Sequence, residues 1–352
     1  GATFPIYDNK KLPEEPEKRN LYAPIWEVGN KAYGLLFMKD IEGIQVPEGI
    51  ILSQYFAKEF KKGILEDKAL KQILINLLKR NVESFTRNRF GNADTPQLLS
   101  VRSGAVFFMP GVMNTMTNVG LTNRIIETYA KVDEWFAYDC YRRFLQDIAT
   151  SFYHVERRVF ENIISQVKRD LHVPLKEKMT GEQMKILAEK YKEELTNRGY
   201  YIPEDPYEQL LYSIVAANLS WDGPTAKNYR SFLNMSDHWG TAIIIQNMVF
   251  GNRSPNDITA VVQSNYHGDE EISLFGEYKT RAQGYDIVSG VANVFPISED
   301  QKKVFPKYKK ILSLEKSRPA LYKMISDAVR NIRHRFGNEI QIELTIEDNI
   351  LY

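Results

Sequence analysis

Residues 100–123 read SVRSGAVFFMPGVMNTMTNVGLTN, a stretch in which an arginine follows a short apolar run and leads into spaced glycines. Leu98-Leu99-Ser100-Val101 has the composition of a strand, Arg102 comes next, and Ser103-Gly104 predicts a turn. A second flexible point is expected at Met109-Pro110-Gly111, with Asn114, Thr115, Thr117 and Asn118 leading on to Gly120. Glycine lets backbone N–H groups approach an anion closely, and successive N–H groups in a turn form a concave anion site. Arginine adds a planar fork matched to phosphate oxygens. The residues alone leave two readings open: an anion-binding loop, or a strand, a hairpin loop and a helix start that contain glycines.

Working outward, residues 1–20 carry three prolines and many charges with little to bury, which predicts an arm. Tyr22 to Ser53 reads as strand, loop, helix and strand, with Lys31 at the loop-to-helix junction. Leu70, Ile73, Leu74, Leu77, Leu78 and Phe85 recur at helical spacing between Leu65 and Phe90, and Gly91 is expected to end that helix. From Asn123 to about Arg198 the pattern is helical again, with a capping box at Thr180 and Gln183 ahead of Met184, Leu187 and Tyr191. Ala242–Phe250 is nearly continuously apolar, as a strand buried on both faces would be. Asp257–Gln263 and Glu271–Tyr278 read as hairpin arms turned at Asn265 to Gly268. In the last strand Ile340, Ile342, Leu344 and Ile346 alternate with Gln341, Glu343, Thr345 and Glu347, so Gln341, Glu343 and Thr345 share a face.

The bulk numbers narrow the function class. With 352 residues the chain is long enough for two or three domains or lobes. A net charge of +1, from 46 basic and 45 acidic residues, gives no reason to expect nucleic acid or an anionic membrane surface as partner. No apolar run is long enough to span a bilayer, and the single Cys140 cannot form an internal disulfide, which fits a reducing cytosol. A cytoplasmic protein is therefore expected. No two of the His and Cys residues stand at metal-ligand spacing.

The string at 100–123 resembles the nucleotide-binding domain of the pyruvate phosphate dikinase family, whose pattern there is roughly SVRSGAxxSMPGMMDTxLNLGLN. The resemblance continues in chain order. GNKAYGL at 29–35 matches a GGKGANL-like segment, Val46-Pro47-Glu48-Gly49 a VPPGF-like turn, and FAYDCYRRF at 136–144 the family's FAYDSYRRF. Asp205–Leu210, Ser220-Trp221, Trp239–Ala242, Gln246–Asn252, Gly276-Glu277-Tyr278, Ala282-Gln283-Gly284 and Ile342–Glu347 follow, so that roughly residues 20–352 are covered.

The resemblance implies an α+β fold of the ATP-grasp type, two lobes closing over ATP with a helical insertion. The expected division is an arm at 1–20, a first lobe at 21–125 plus 206–250, a helical subdomain at 126–205, and a second lobe at 251–352 that stops before its last strand. It assigns Lys31 and Arg102 to the phosphates and to catalysis, with Ser103 and Gly104 beside them. Gln246 and Met248 go to the adenine-lining strand, Glu343 to nucleotide or metal, and Gln341 with Glu343 to Mg²⁺. Lys31, Arg102 and Glu343 are expected to converge on one cleft. The implied partners are ATP and the phosphohistidine and pyruvate/PEP-binding domains of the same full-length protein. None of His154, His172, His238, His267 or His334 lies in the family's TSHAA-like phosphohistidine context, so each reads as a surface or packing residue.

Departures from the pattern support a second reading, a catalytically degenerate nucleotide-binding or scaffold module that keeps the fold. The family's DIEFTIE strand has Gln341 in place of its Asp, exchanging a metal-binding carboxylate for an amide. Asn114 stands where the pattern has Asp. Residues 254–268 lack the family's paired glycines and Arg, and residues 284–292 lack its Glu and Arg, with Arg253 and Arg281 as candidate replacements. Glu277 and Gln283 match by motif without an assigned role.

Overall fold

A computed structural model describes residues 3–6, 25–107, 109, 113–236, 238–266, 272–288, 293–337 and 339–352. It is a mixed helix-and-sheet, α+β structure whose chain divides into two compact units, Gly1–Leu36 with Glu48–Met248, and Phe37–Pro47 with Val249–Tyr352.

The first unit is built on a five-stranded sheet of β1 (Thr3–Ile6), β2 (Gly49–Leu52), β3 (Leu99–Gly104), β4 (Thr115–Val119) and β5 (Ala242–Asn247), in the order β1-β2-β5-β3-β4. Every neighbouring pair is antiparallel. The continuous apolar run forms the central strand β5, buried from Ala242 to Gln246. Its apolar residues suit a central strand, paired on both edges by β2 and β3. Where the composition of residues 1–20 predicted an arm with little to bury, Thr3–Ile6 pairs with β2 and Ile6 is buried. As an edge strand β1 tolerates a proline, whose missing N–H removes no ladder bond on the open side.

Nine helices of eight or more residues are described, eight of them beginning in the first unit: α1 (Ile25–Met38), α2 (Lys68–Thr86), α3 (Asn123–Val132), α4 (Glu134–Ser151), α5 (Arg157–Asp170), α6 (Gly181–Asn197), α7 (Pro206–Asp222) and α8 (Pro224–Phe232). Helix α2 starts at Asp67, whose carboxylate accepts the Ala69 and Leu70 N–H groups at 3.0 Å each. It buries the stripe Leu74, Leu78, Val82 and Phe85 and leaves Leu70, Ile73 and Leu77 exposed. It closes at Thr86, ahead of the expected Gly91, because Arg87 and Asn88 already turn into the left-handed region at φ 53° and 61°. From Asn123 to Asn197 the chain is helical without a strand, as the periodicity predicted, and two more helices follow to Phe232. The Thr180 capping box is present: Gln183 donates its N–H to Thr180 Oγ1 at 3.2 Å, and Thr180 donates its N–H to Gln183 Oε1 at 2.9 Å.

Helix α4 is buried on most of its circumference and packs on α3, α6 and β4. At its centre Asp139 accepts from Arg142 Nε and Arg143 Nε, each at 2.9 Å, with Lys176 Nζ at 3.8 Å. Burial alone would raise the Asp139 pKa, but the three cations hold it well below the usual carboxylate range.

The second unit carries a second antiparallel sheet of β6 (Ile258–Tyr266), β7 (Ile272–Thr280), β8 (Phe295–Pro296), β9 (Gln341–Glu347) and β10 (Ile350–Leu351), ordered β10-β9-β6-β7-β8. The two expected hairpin arms are β6 and β7; their turn, with His267 and Gly268, lies outside the described residues. Helix α9 (Pro319–Phe336) covers one face, burying Ile325, Ala328 and Val329 against Ile258, Ala260, Val262, Leu344 and Ile346. The alternation in β9 thus places its apolar residues in the core and leaves Gln341 and Glu343 exposed on the other face.

Candidate functional site

The pleat of the first sheet aligns the candidate residues. Arg102 pairs with Ile244 on one side and Thr115 on the other, and Ser100 pairs with Gln246. Residues two apart on a strand and those directly opposite share a face, so Ser100, Arg102, Gly104, Ile244 and Gln246 lie on one face. The turn expected at Ser103-Gly104 is not formed. Both residues continue β3, paired with Ile243 and Ala242, and Ser103 donates its hydroxyl to the Asn114 carbonyl at 3.2 Å.

Gly104 ends the strand against which Gly29 makes a close approach. Helix α1 is broken at Gly29, which has φ 78° and ψ 167°, and the next residue donates its N–H to the Ala105 carbonyl at 3.0 Å. A Cβ on Gly29 would stand 2.2 Å from the Gly104 oxygen, and one on Gly104 would stand 3.8 Å from Lys31 Cβ. Glycine at 29 therefore lets the Gly29–Lys31 segment sit on the end of β3, whereas a Cβ at 104 would make only ordinary contacts. This brings Lys31 beside Gly104, two residues along the strand from Arg102.

Lys31 is exposed and Arg102 half-buried. The Arg102 Nε is buried and has no hydrogen-bond partner among the described residues. A buried unsatisfied donor costs about 1–3 kcal/mol, and a guanidinium in that state favours an incoming anion. The expected second flexible point at Pro110-Gly111 lies outside the described residues.

At the other end of the same face Gln246 is buried opposite Gly49, where a Cβ would stand 2.8 Å from Gln246 Cγ. Met248 follows β5. Its N–H donates to the Leu98 carbonyl at 2.9 Å, and its Sδ accepts the Asn118 N–H at 2.9 Å. Beside it stands a pair that the sequence reading passed over. Asp147 of α4 accepts from the Thr117 N–H at 2.8 Å and from Thr117 Oγ1 at 2.7 Å. Burial pushes the Asp147 carboxyl up to about 6, against the lowering effect of the Thr117 hydrogen bonds and of Arg157 and Arg143. The only sequence signal for this pair was Thr117 standing where the family pattern has Leu.

In the second unit Gln341 and Glu343 lie opposite Gln263 and Val261 of β6, exposed on the face away from α9. Four residues after Glu343, Glu347 is half-buried and accepts the Phe250 N–H at 2.9 Å, with Arg253 Nη1 at 3.8 Å; burial raises its pKa. Glu277 accepts from the Tyr308 hydroxyl and, at 3.1 Å, from Lys307 Nζ. Gln283 is buried and donates to Asn252 Oδ1 at 3.2 Å. Among the described residues no group of three or more His, Cys, Asp or Glu gathers to hold a metal. Gln341 and Glu343 offer one amide oxygen and one carboxylate, a donor set that suits Mg²⁺ only when phosphate oxygens complete the shell. Lys31, Arg102, Gln246 and Met248 thus belong to the first unit, and Gln341 and Glu343 to the second. His154, His172, His238 and His334 are exposed.

No family model matches the chain. It is similar to pyruvate, phosphate dikinase of Clostridium symbiosum, 33% identical over 333 residues, and to that of Rickettsia felis, 34% identical over 342 residues. The chloroplastic pyruvate, phosphate dikinase of Flaveria trinervia is 31% identical over 330 residues. In each case 92% of this chain is matched. The chain spans about a third of the length of these relatives, 33% to 36%.

Proposed function

The chain is a divergent relative of the pyruvate, phosphate dikinases, and from that premise we propose that it is the ATP-binding portion of a dikinase-like phosphotransferase. In this reading it has an ATP-grasp fold, and phosphate passes from Mg-ATP to a histidine on a separate domain of the full-length protein. A further domain takes pyruvate or PEP, in a cytoplasmic setting. The observation that carries the reading is the Arg102 guanidinium, half-buried with its Nε unpartnered among the described residues, on the strand against whose end Gly29 lets the Lys31 segment pack.

Phosphoryl transfer asks a protein mainly for positioning and charge stabilisation. Arg102 would hold phosphate oxygens through its fork, and Lys31 would add a mobile point charge beside it. Gln246 and Met248, on the same strand region, are proposed for the base. Glu343 and Gln341 are proposed to hold Mg²⁺, which when bound neutralises phosphate charge.

A second reading, nucleotide binding without transfer, is favoured by one specific observation: the donor set on β9 has a single carboxylate, with Gln341 as its neutral neighbour. The full-length protein incubated with γ-labelled ATP separates the two. Acid-labile label on a histidine, lost in Arg102→Ala, supports the phosphotransferase. ATP binding with no label transferred supports the degenerate module.

A further inference from the structure

We propose that Asp147 is a positioning residue for the base end of the nucleotide site, acting through a β-bulge in β4 that seats the Met248 thioether. This inference rests on the reading of Gln246 and Met248 as the base-binding strand.

The bulge is visible in the register. Leu99 pairs with Val119 and Val101 with Met116, so Thr117 and Asn118 together face the single residue Ser100. Asn118 takes the left-handed conformation at φ 56°, which asparagine tolerates better than most residues, and the bulged pair still needs a group to hold it in register. Asp147 supplies that hold, accepting both the N–H and the hydroxyl of Thr117 on one oxygen, Oδ2. The Thr117 hydroxyl in turn accepts from Asn118 Nδ2 at 2.9 Å. The result is that the Asn118 N–H points at Met248 Sδ, 2.9 Å away.

The bulge also lies in the cross-strand row that runs through Ser100 to Gln246 and Gly49, two rows from Arg102 and Ile244. Asp147 therefore bears on the Gln246–Met248 end and leaves the Arg102 row to its own pairing. Where the family pattern has Leu at position 117, this chain has a hydroxyl that finds its acceptor in the half-buried Asp147 of α4.

Two readouts test the idea on this chain. First, with methyl-¹³C methionine, the Met248 resonance, assigned through Met248→Leu, should move in Asp147→Ala. It should stay in Asp147→Asn, which keeps an acceptor oxygen. Second, Asp147→Ala should weaken ATP binding about tenfold, a loss of one base-side contact, and leave inorganic tripolyphosphate binding unchanged. Arg102→Ala should weaken both. An unmoved Met248 resonance in a folded Asp147→Ala protein overturns the proposal, as does equal weakening of ATP and tripolyphosphate. Wild-type protein that binds neither probe refutes the nucleotide reading instead, and with it the assignment of Asp147 to a base site.

Discussion

Replacing Asp147 by Asn should stabilise the first unit at neutral pH, and the gain should fade as pH falls. In the folded chain the carboxyl titrates at about 6 instead of its ordinary 3.8, because burial penalises the ionised form. The stability contributed by the protonated form is therefore fully present below pH 3.8 and lost as pH rises through about 6. At roughly 1.4 kcal/mol per pH unit, the ionised side chain costs the fold about 3 kcal/mol at pH 7.5. Asn reproduces the neutral form and still accepts from Thr117. The expected advantage of the variant is thus about 3 kcal/mol at pH 7.5 and about half that at pH 5. Urea denaturation followed by tryptophan fluorescence reads the right unit, because Trp26, Trp135, Trp221 and Trp239, the only four tryptophans, all belong to it. Midpoints compare directly where the slopes agree. An advantage that does not grow between pH 5 and pH 7.5, or a variant less stable than wild type at pH 7.5, would refute the reasoning.

Asp139→Asn should do the opposite, destabilising the helical segment by about 3–5 kcal/mol, because Arg142, Arg143 and Lys176 lose their shared buried carboxylate; the same denaturation curves check it. Gly29→Ala places a Cβ 2.2 Å from the Gly104 oxygen at a residue with positive φ. It should lift Lys31 away from β3 and weaken tripolyphosphate binding about tenfold, with helix content by circular dichroism unchanged. Thr180→Ala removes the side-chain half of the capping box and should cost about 1 kcal/mol, read as a lowered urea midpoint.

Much of the fold was legible because burial writes itself into periodicity. The apolar run from Ala242 read as a buried strand and forms one as far as Asn247, and the alternation at 340–347 separated a core face from a face carrying Glu343. The Thr180 cap was legible because capping is local, needing only residues three apart. Glycine misled at Gly104, which simply continues β3; the close approach belongs to Gly29, whose contact with the Gly104 oxygen no local pattern announces. Leu70, Ile73 and Leu77 looked like core residues because helical spacing does not say which part of an apolar stripe finds a partner. The Asp147–Thr117 pair escaped notice for a related reason. Its partners lie on separate elements, and although Thr117 sits in the 100–123 motif, nothing in the spacing points to Asp147 thirty residues on.

The central claim is that Arg102 and Lys31 form a phosphate site on the first unit. Isothermal titration calorimetry of this chain with Mg-ATP tests it most directly. Weak binding is expected, with Kd of roughly 0.1–1 mM, because the β9 donor set carries one carboxylate where the family pattern has two. Arg102→Ala should weaken it a further 10- to 100-fold, the loss of a charge-assisted contact of about 1.5–3 kcal/mol. Binding that survives Arg102→Ala unchanged, or wild-type protein that takes up no nucleotide at millimolar concentration, would contradict the account.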